Sequence, residues 1–269
     1  MKKVLMVGIL ILASLSLGLS ASAARAETVR VVVPYLGSIK NVYEDDDYGI
    51  NLKDSSLMKG LYFQWVDTER YQWNAFVYQA SDLNYSTLWG GHFIFDFYLG
   101  PREKRNWVIG TGVEIITLDM DAGDKITPLL DFKLRNAVYV PFARAGKYFR
   151  FKFPALALSL LPWAGIEPQW VRGEVSFDIL GPPPPVNEEI REYDFNGIAG
   201  LNMKGVLLHF LEAELKYQAT FGGRGYFSTL SGMANLFFTR HLGLSYRFKY
   251  METSNGADTY HIGGVAFVF

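Results

Sequence analysis

The residues of this 269-residue chain with the clearest chemical potential lie at Ser254-Asn255-Gly256, with Glu252 two positions ahead of the serine. A serine hydroxyl is a weak nucleophile until a neighbouring base takes its proton. The four histidines, His92, His209, His241 and His261, stand beside no serine in the sequence, so the base is missing and no catalytic residue is assigned. Two acidic runs, Glu44-Asp45-Asp46-Asp47 and Asp119-Met120-Asp121-Ala122-Gly123-Asp124, offer hard oxygen ligands. Neither has the D-x-D-x-D-G spacing of a calcium loop, and both read as solvated loops with no metal assigned. The chain has no cysteine, which removes thiolate metal sites, disulfides and thiol lipidation together. It carries no nucleotide, haem or flavin motif, so no cofactor is expected. What remains is a set of charges at strand-like spacing: Arg30, Asp96, Glu114, Asp131, Lys133, Arg135, Arg172, Glu174, Asp178, Lys204, Glu214, Lys216, Arg247 and Lys249.

The segments that carry those charges alternate. Over 241–251 the even positions are Leu242, Leu244, Tyr246, Phe248 and Tyr250, while the odd ones include Gly243, Ser245, Arg247 and Lys249. Successive side chains of a strand point to opposite faces, so one face is apolar and the other polar, whereas a helix would scatter the same residues around its girth. Ala213, Leu215, Tyr217 and Phe221 likewise oppose Glu214, Lys216, Gln218 and Thr220. Leu130, Phe132, Leu134, Val138 and Val140 oppose Asp131, Lys133 and Arg135, and Val171, Val175, Phe177 and Ile179 oppose Arg172, Glu174 and Asp178. Phe93, Phe95, Phe97 and Leu99 oppose His92 and Asp96. These charges sit in mid-strand. A soluble sandwich would bury the apolar face; a transmembrane barrel turns that face to lipid and encloses the charges.

The N-terminus and composition favour the second arrangement. Lys2 and Lys3 precede an apolar run from Val4 to Leu19, and Ser20 to Ala26 offer an Ala24-Arg25-Ala26 cleavage site, the pattern of a secretory signal peptide. The expected domains are a signal peptide, 1–26, and one transmembrane β-barrel domain, 27–269. Cleavage takes Lys2, Lys3 and Arg25 from a balance of 26 basic and 27 acidic residues, so the mature chain is acidic and nucleic acid is not an expected partner. Aromatic residues make up 16% of the sequence, and they favour strands and collect at membrane–water boundaries. Trp65, Trp73, Trp89 and Trp107 fall near predicted strand ends. The longest apolar candidate for a membrane helix in the mature chain, 153–166, is too short and contains Pro154 and Pro162.

The C-terminal TYHIGGVAFVF places Gly263, Val265, Phe267 and Phe269 on one face. This resembles the terminal strand of bacterial outer-membrane β-barrel proteins, and the resemblance implies that Val265, Phe267 and Phe269 form the signal read by the barrel-assembly machinery. The expected fold is all-β: an antiparallel up-and-down transmembrane barrel in a Gram-negative outer membrane. Strands are predicted near 28–36, 57–66, 72–80, 86–100, 106–120, 127–142, 166–179, 194–208, 212–221, 226–239, 241–253 and 258–269. That makes twelve, with 143–165 as a periplasmic excursion; a strand inside it would change the count to ten or fourteen. The loop holding Pro182 to Pro185 reads as a stiffened exposed segment.

Outer-membrane lipases and deacylases carry a His two residues before a Ser-Asn pair. Ser254-Asn255 resembles that pattern, but Glu252 replaces the histidine, so a lipid hydrolase is the least favoured of three readings. In the first, the fourteen charges line the lumen of a porin-like narrow passive channel for small hydrophilic solutes. Their slight basic excess, clustered in 127–142 and 241–253, would favour anions. In the second, the charges pair and close the lumen, leaving a structural or surface-interaction barrel that presents extracellular loops. Outer-membrane lipids and lipopolysaccharide are expected partners in either case.

Overall fold

The computed structural model describes residues 28–45, 50–67, 70–80, 86–100, 106–127, 130–179, 186–208, 210–223, 225–253 and 256–269. The signal-peptide reading, Pro182 to Pro185, His209 and Ser254-Asn255 lie outside these residues.

The period-2 segments form strands: β1 (Thr28–Asp45), β2 (Ile50–Asp67), β3 (Tyr71–Ala80), β4 (Ser86–Leu99), β5 (Trp107–Thr127), β6 (Leu130–Lys147), β7 (Phe149–Lys152), β8 (Leu156–Ile179), β9 (Val186–Leu207), β10 (Leu211–Gly222), β11 (Gly225–Phe237), β12 (Leu242–Thr253) and β13 (Gly256–Val268). Sequence neighbours pair antiparallel, β1 also pairs with β13, and β6 pairs with β8, which closes the sheet on itself. The short β7 continues β6 past Tyr148 along the same neighbour, so the closed barrel has twelve staves. Among the described residues closure pairs every long stave on both sides, which is what a sheet needs in hydrocarbon.

The excursion expected at 143–165 is corrected: β6 runs to Lys147, β7 follows, and β8 starts at Leu156 around a turn closed by the Phe153 amide donating to the Leu156 carbonyl at 2.8 Å. Because the segment only lengthens staves already counted, the total stays at twelve.

Burial runs opposite to that of a soluble sandwich. In β12, Leu244 is 49% exposed and its neighbour Ser245 is 4%. Exposed apolar side chains such as Leu201, Leu215, Tyr217, Leu242 and Tyr246 cover the outside, while Asn74, Asp96, Asn196, Asn202 and Asn235 are buried inside. Such a wall is stable when its outer solvent is lipid.

The outer wall is layered. Ile115, Tyr139, Trp170 and Tyr193 are successive cross-strand partners on β5, β6, β8 and β9 and form part of an exposed aromatic row. Four residues further along β5, the corresponding row is Asp119, Arg135, Glu174 and Glu189. An aromatic girdle followed by charge marks the bilayer boundary. At the opposite end, Trp107, Phe149, Phe153, Phe210 and Phe238 form a second exposed aromatic band.

Candidate functional site

The barrel interior has a dry side and a wet side. On the dry side, Tyr35, Met58, Tyr62, Phe76, Tyr78, Leu88 and Ile262 from β1 to β4 and β13 pack into one buried cluster, joined by Ile116 and Leu118 of β5. A second, smaller cluster of Val108, Leu161, Trp163 and Ile198 joins β5 to β8 and β9. Both are built from the inward parity of their strands, and they fill space that an open pore would leave to water.

Charges enter this interior in pairs. Arg144 of β6 reaches Asp96 of β4 with bonds of 3.0 and 3.1 Å, Gln72 donates to the same carboxylate at 3.1 Å, and the guanidinium lies 5.2 Å from the Trp163 ring. Gly110 makes this contact possible, since a Cβ there would fall 2.3 Å from Asp96 Oδ1. Arg247 of β12 donates to the Tyr35 hydroxyl at 2.8 Å and sits 3.5 Å over the Tyr62 ring. From Tyr35 a one-way relay of donors runs through Ser245 to Asn235, the second step at 2.6 Å.

The wet side lies along β9 and β10. Lys204 pairs with Glu212, and Lys216 pairs with Glu214 at 3.0 Å. The Lys216 and Glu214 side chains keep 36% and 20% of their surface accessible. Across the lumen, Lys249 of β12 bonds Glu114 of β5 at 2.9 Å. Those two staves are six apart in either direction round the ring, so the bridge spans the full bore.

Of the fourteen charges selected from sequence, Asp96, Glu114, Lys204, Glu214, Lys216, Arg247 and Lys249 lie in the interior. Five do not, and the lumen assignment is corrected for each. Arg30 lies on the outer wall, 4.1 Å over the Trp65 ring. Lys133 and Arg135 are exposed, Arg135 lying 3.5 Å from Asp119. Arg172 and Glu174 are exposed as well, Arg172 lying 3.7 Å from Glu189. For Arg30 the physical reason is parity, since β1 turns Val31, Val33 and Tyr35 inward; for the other four it is the length of β5, β6, β8 and β9. Their outer portions rise past the aromatic row into water, where the ionic side faces outward and Leu134, Val138, Val171 and Val175 face in. There Arg191 donates to Glu189 at 2.7 Å and holds its carboxyl below the usual range. The backbones of Asp131 and Asp178 are register partners, and their side chains lie outside the described residues, as does that of Phe132.

Sequence reasoning missed Arg144, which fell in the supposed excursion, and Glu212, which shares the parity of Glu214 and was findable on that signal. It also missed Glu167, Asp194 and Asn196. Of the acidic run at 119–124, Asp119 pairs with Arg135 on the outer wall and Asp121 is exposed, while the side chain of Asp124 lies outside the described residues. The side chains of Glu44 to Asp47 are outside the described residues. The His92 ring lies tilted, 5.9 Å from that of Phe76, in the interior, and His261 bonds the Tyr246 hydroxyl at 2.7 Å on the lipid face. Val265, Phe267 and Phe269 all face outward, and the backbones of Phe269 and Arg30 exchange two hydrogen bonds of 2.9 and 3.2 Å.

No family model and no curated protein matches the chain by sequence. Among solved structures, it is similar to the translocator domain of the autotransporter NalP from Neisseria meningitidis, with a TM-score of 0.57 at 14% identity, covering 97% of this chain and 94% of that one. It is also similar to the β domain of the Bordetella autotransporter BrkA, with a TM-score of 0.49 at 10% identity, covering 88% and 98%. The porin KdgM in complex with oligogalacturonate gives 0.43 at 11% identity, covering 88% and 99%. The first likeness shows the fold. That fold is a closed antiparallel β-barrel like those of bacterial outer-membrane proteins, and the apolar outer wall fits lipid as its surroundings.

Proposed function

We propose that the barrel is a narrow passive channel for small hydrophilic solutes, with its path confined to the wet side of the lumen. The observation that carries this reading is the accessibility of two neighbouring interior ion pairs, Lys216–Glu214 and Lys204–Glu212, facing a lumen whose β1 to β4 side is packed dry. A charged pair that keeps its water in the interior needs a hydrated route from one mouth. The anion preference expected from sequence falls away, because Lys133 and Arg135 stand outside the wall and the interior acids, Asp96, Glu114, Glu167, Asp194, Glu212 and Glu214, outnumber the interior bases, Arg144, Lys204, Lys216, Arg247 and Lys249. The chain is read as non-catalytic, and the outward C-terminal aromatics are read as the contact for the assembly machinery.

A second reading, a non-conducting scaffold that presents its outer loops, is favoured by the Lys249–Glu114 bridge across the bore. Single-channel recording in planar bilayers separates the two. The channel reading expects small discrete openings in the native protein and larger ones when both partners are neutralised as Lys249→Met with Glu114→Gln. Silence from both proteins at every voltage would leave the scaffold.

A further inference from the structure

We infer that the outer end of the lumen between β8 and β10 holds a site for a hard divalent cation, of the calcium class. The inference goes beyond conduction and stands whether or not the lumen conducts.

Three oxygen-bearing side chains project there from the inward faces of neighbouring strands. Glu167 of β8 is the direct cross-strand partner of Asn196 of β9, and Asp194 lies two residues along β9 on the same face. Asn196 is only 1% exposed, and its Oδ1 has no hydrogen-bond donor; the buried Oδ2 of Asp194 has none either. A buried acceptor without a donor is costly, and native interiors seldom leave one. Here two occur side by side. Gly222 shows that they converge: a Cβ at that position would fall 1.6 Å from Asn196 Oδ1 and 3.3 Å from Asp194 Oδ2. The absent side chain of Gly222 is the room into which both oxygens are aimed. The other Asp194 oxygen is taken by the Phe195 amide at 2.9 Å, which fixes the carboxylate so that Oδ2 points onward. On Glu167, Gln218 donates to Oε2 at 3.0 Å, leaving Oε1 as a further ligand.

The donor set is two carboxylates and a carboxamide, all oxygen, which suits calcium and offers nothing to soft metals. Calcium takes six to eight oxygens at about 2.3–2.6 Å, so water would complete the shell on the lumen side. With two acids instead of three or four, the affinity belongs with the weaker extracellular sites, at a Kd of roughly 0.1–1 mM.

The test is equilibrium dialysis of radiolabelled calcium with the mature protein, folded in a zwitterionic detergent free of lipopolysaccharide and checked for folding by heat-modifiable migration. One saturable site is expected. Asp194→Asn and Gly222→Ala should each weaken binding at least tenfold, the second without removing any charge, because its methyl group displaces the Asn196 carboxamide. Asn196→Asp adds a charge to a ligand already in place and should tighten binding at least fivefold, with calcium raising the melting temperature of that variant more than that of the native chain. Asp119→Asn, on the outer wall, should bind as the native protein does. Absence of saturable binding, native affinity in Gly222→Ala, or weaker binding in Asn196→Asp would each overturn the assignment.

Discussion

At the scale of single residues, the Arg144–Asp96 pair shows what an enclosed charge demands of its surroundings. Asp96 is 2% exposed and Arg144 9%; Gln72 also donates to the carboxylate and the absent side chain at Gly110 leaves room for the contact, while Arg144 Nε finds no acceptor. Removing one partner strands the other's charge away from water, which costs about 3–5 kcal/mol, while replacing both by apolar groups of similar volume is close to neutral. Asp96→Asn is therefore expected to lower the urea midpoint of the folded barrel sharply. Asp96→Leu combined with Arg144→Met should recover most of that loss, and equal losses in the single and double variants would contradict the pairing. Arg247 is held differently, by the Tyr62 ring and the Tyr35 hydroxyl. A contact of that kind joins residues far apart in the chain and leaves no local pattern by which to read it.

At the scale of strands, legibility depended on where each strand sits relative to lipid. Inside the bilayer the solvent is apolar and the phase of the alternation is read correctly: β10 and β12 turn Glu214, Lys216, Arg247 and Lys249 inward, as their period predicts. Above the aromatic row the solvent becomes water and the same alternation carries the opposite meaning, which is why Arg135, Arg172 and Glu174 were assigned to the wrong face. Period 2 reports two faces; only the surroundings say which one is inside. Arg172→Ala and Glu174→Ala should consequently shift stability by no more than about 0.5 kcal/mol, as water-exposed substitutions do. The prolines of β6 and β8 belong to this scale too. Pro141 and Pro168 stand opposite each other in the common register, and the ladder lapses between Tyr139–Trp170 and Ala143–Ile166. Neither proline has an N–H to donate, so the two bonds that this opposed pair would exchange cannot form. Hydrogen exchange should find Ala143 and Trp170, the amides that flank the lapse on the β6–β8 side, less protected than those of β12; equal protection would show that the seam is not weak.

At the scale of the whole molecule, the barrel is an inside-out solution to burial, and its outer belt can be tested as one surface. Phe248→Arg and Leu215→Arg are expected to cost about 2–4 kcal/mol each if they lie near the bilayer midplane, falling toward zero at the girdles. Urea titration of both variants in lipid vesicles measures this, and native midpoints would count against a lipid-facing wall. The closed ring and its twelve staves were legible because lipid enforces pairing throughout, whereas the filling of the bore was not, since residues that meet across it share no strand. The bridge from Glu114 to Lys249 has a bearing on biogenesis. Its partners come from opposite halves of the chain, 135 residues apart, and can meet only when the two halves curl together. Until then Glu114 must stay hydrated, so a half-built sheet cannot dehydrate its concave side, and maturation of the interior is tied to the moment at which the last hairpin docks.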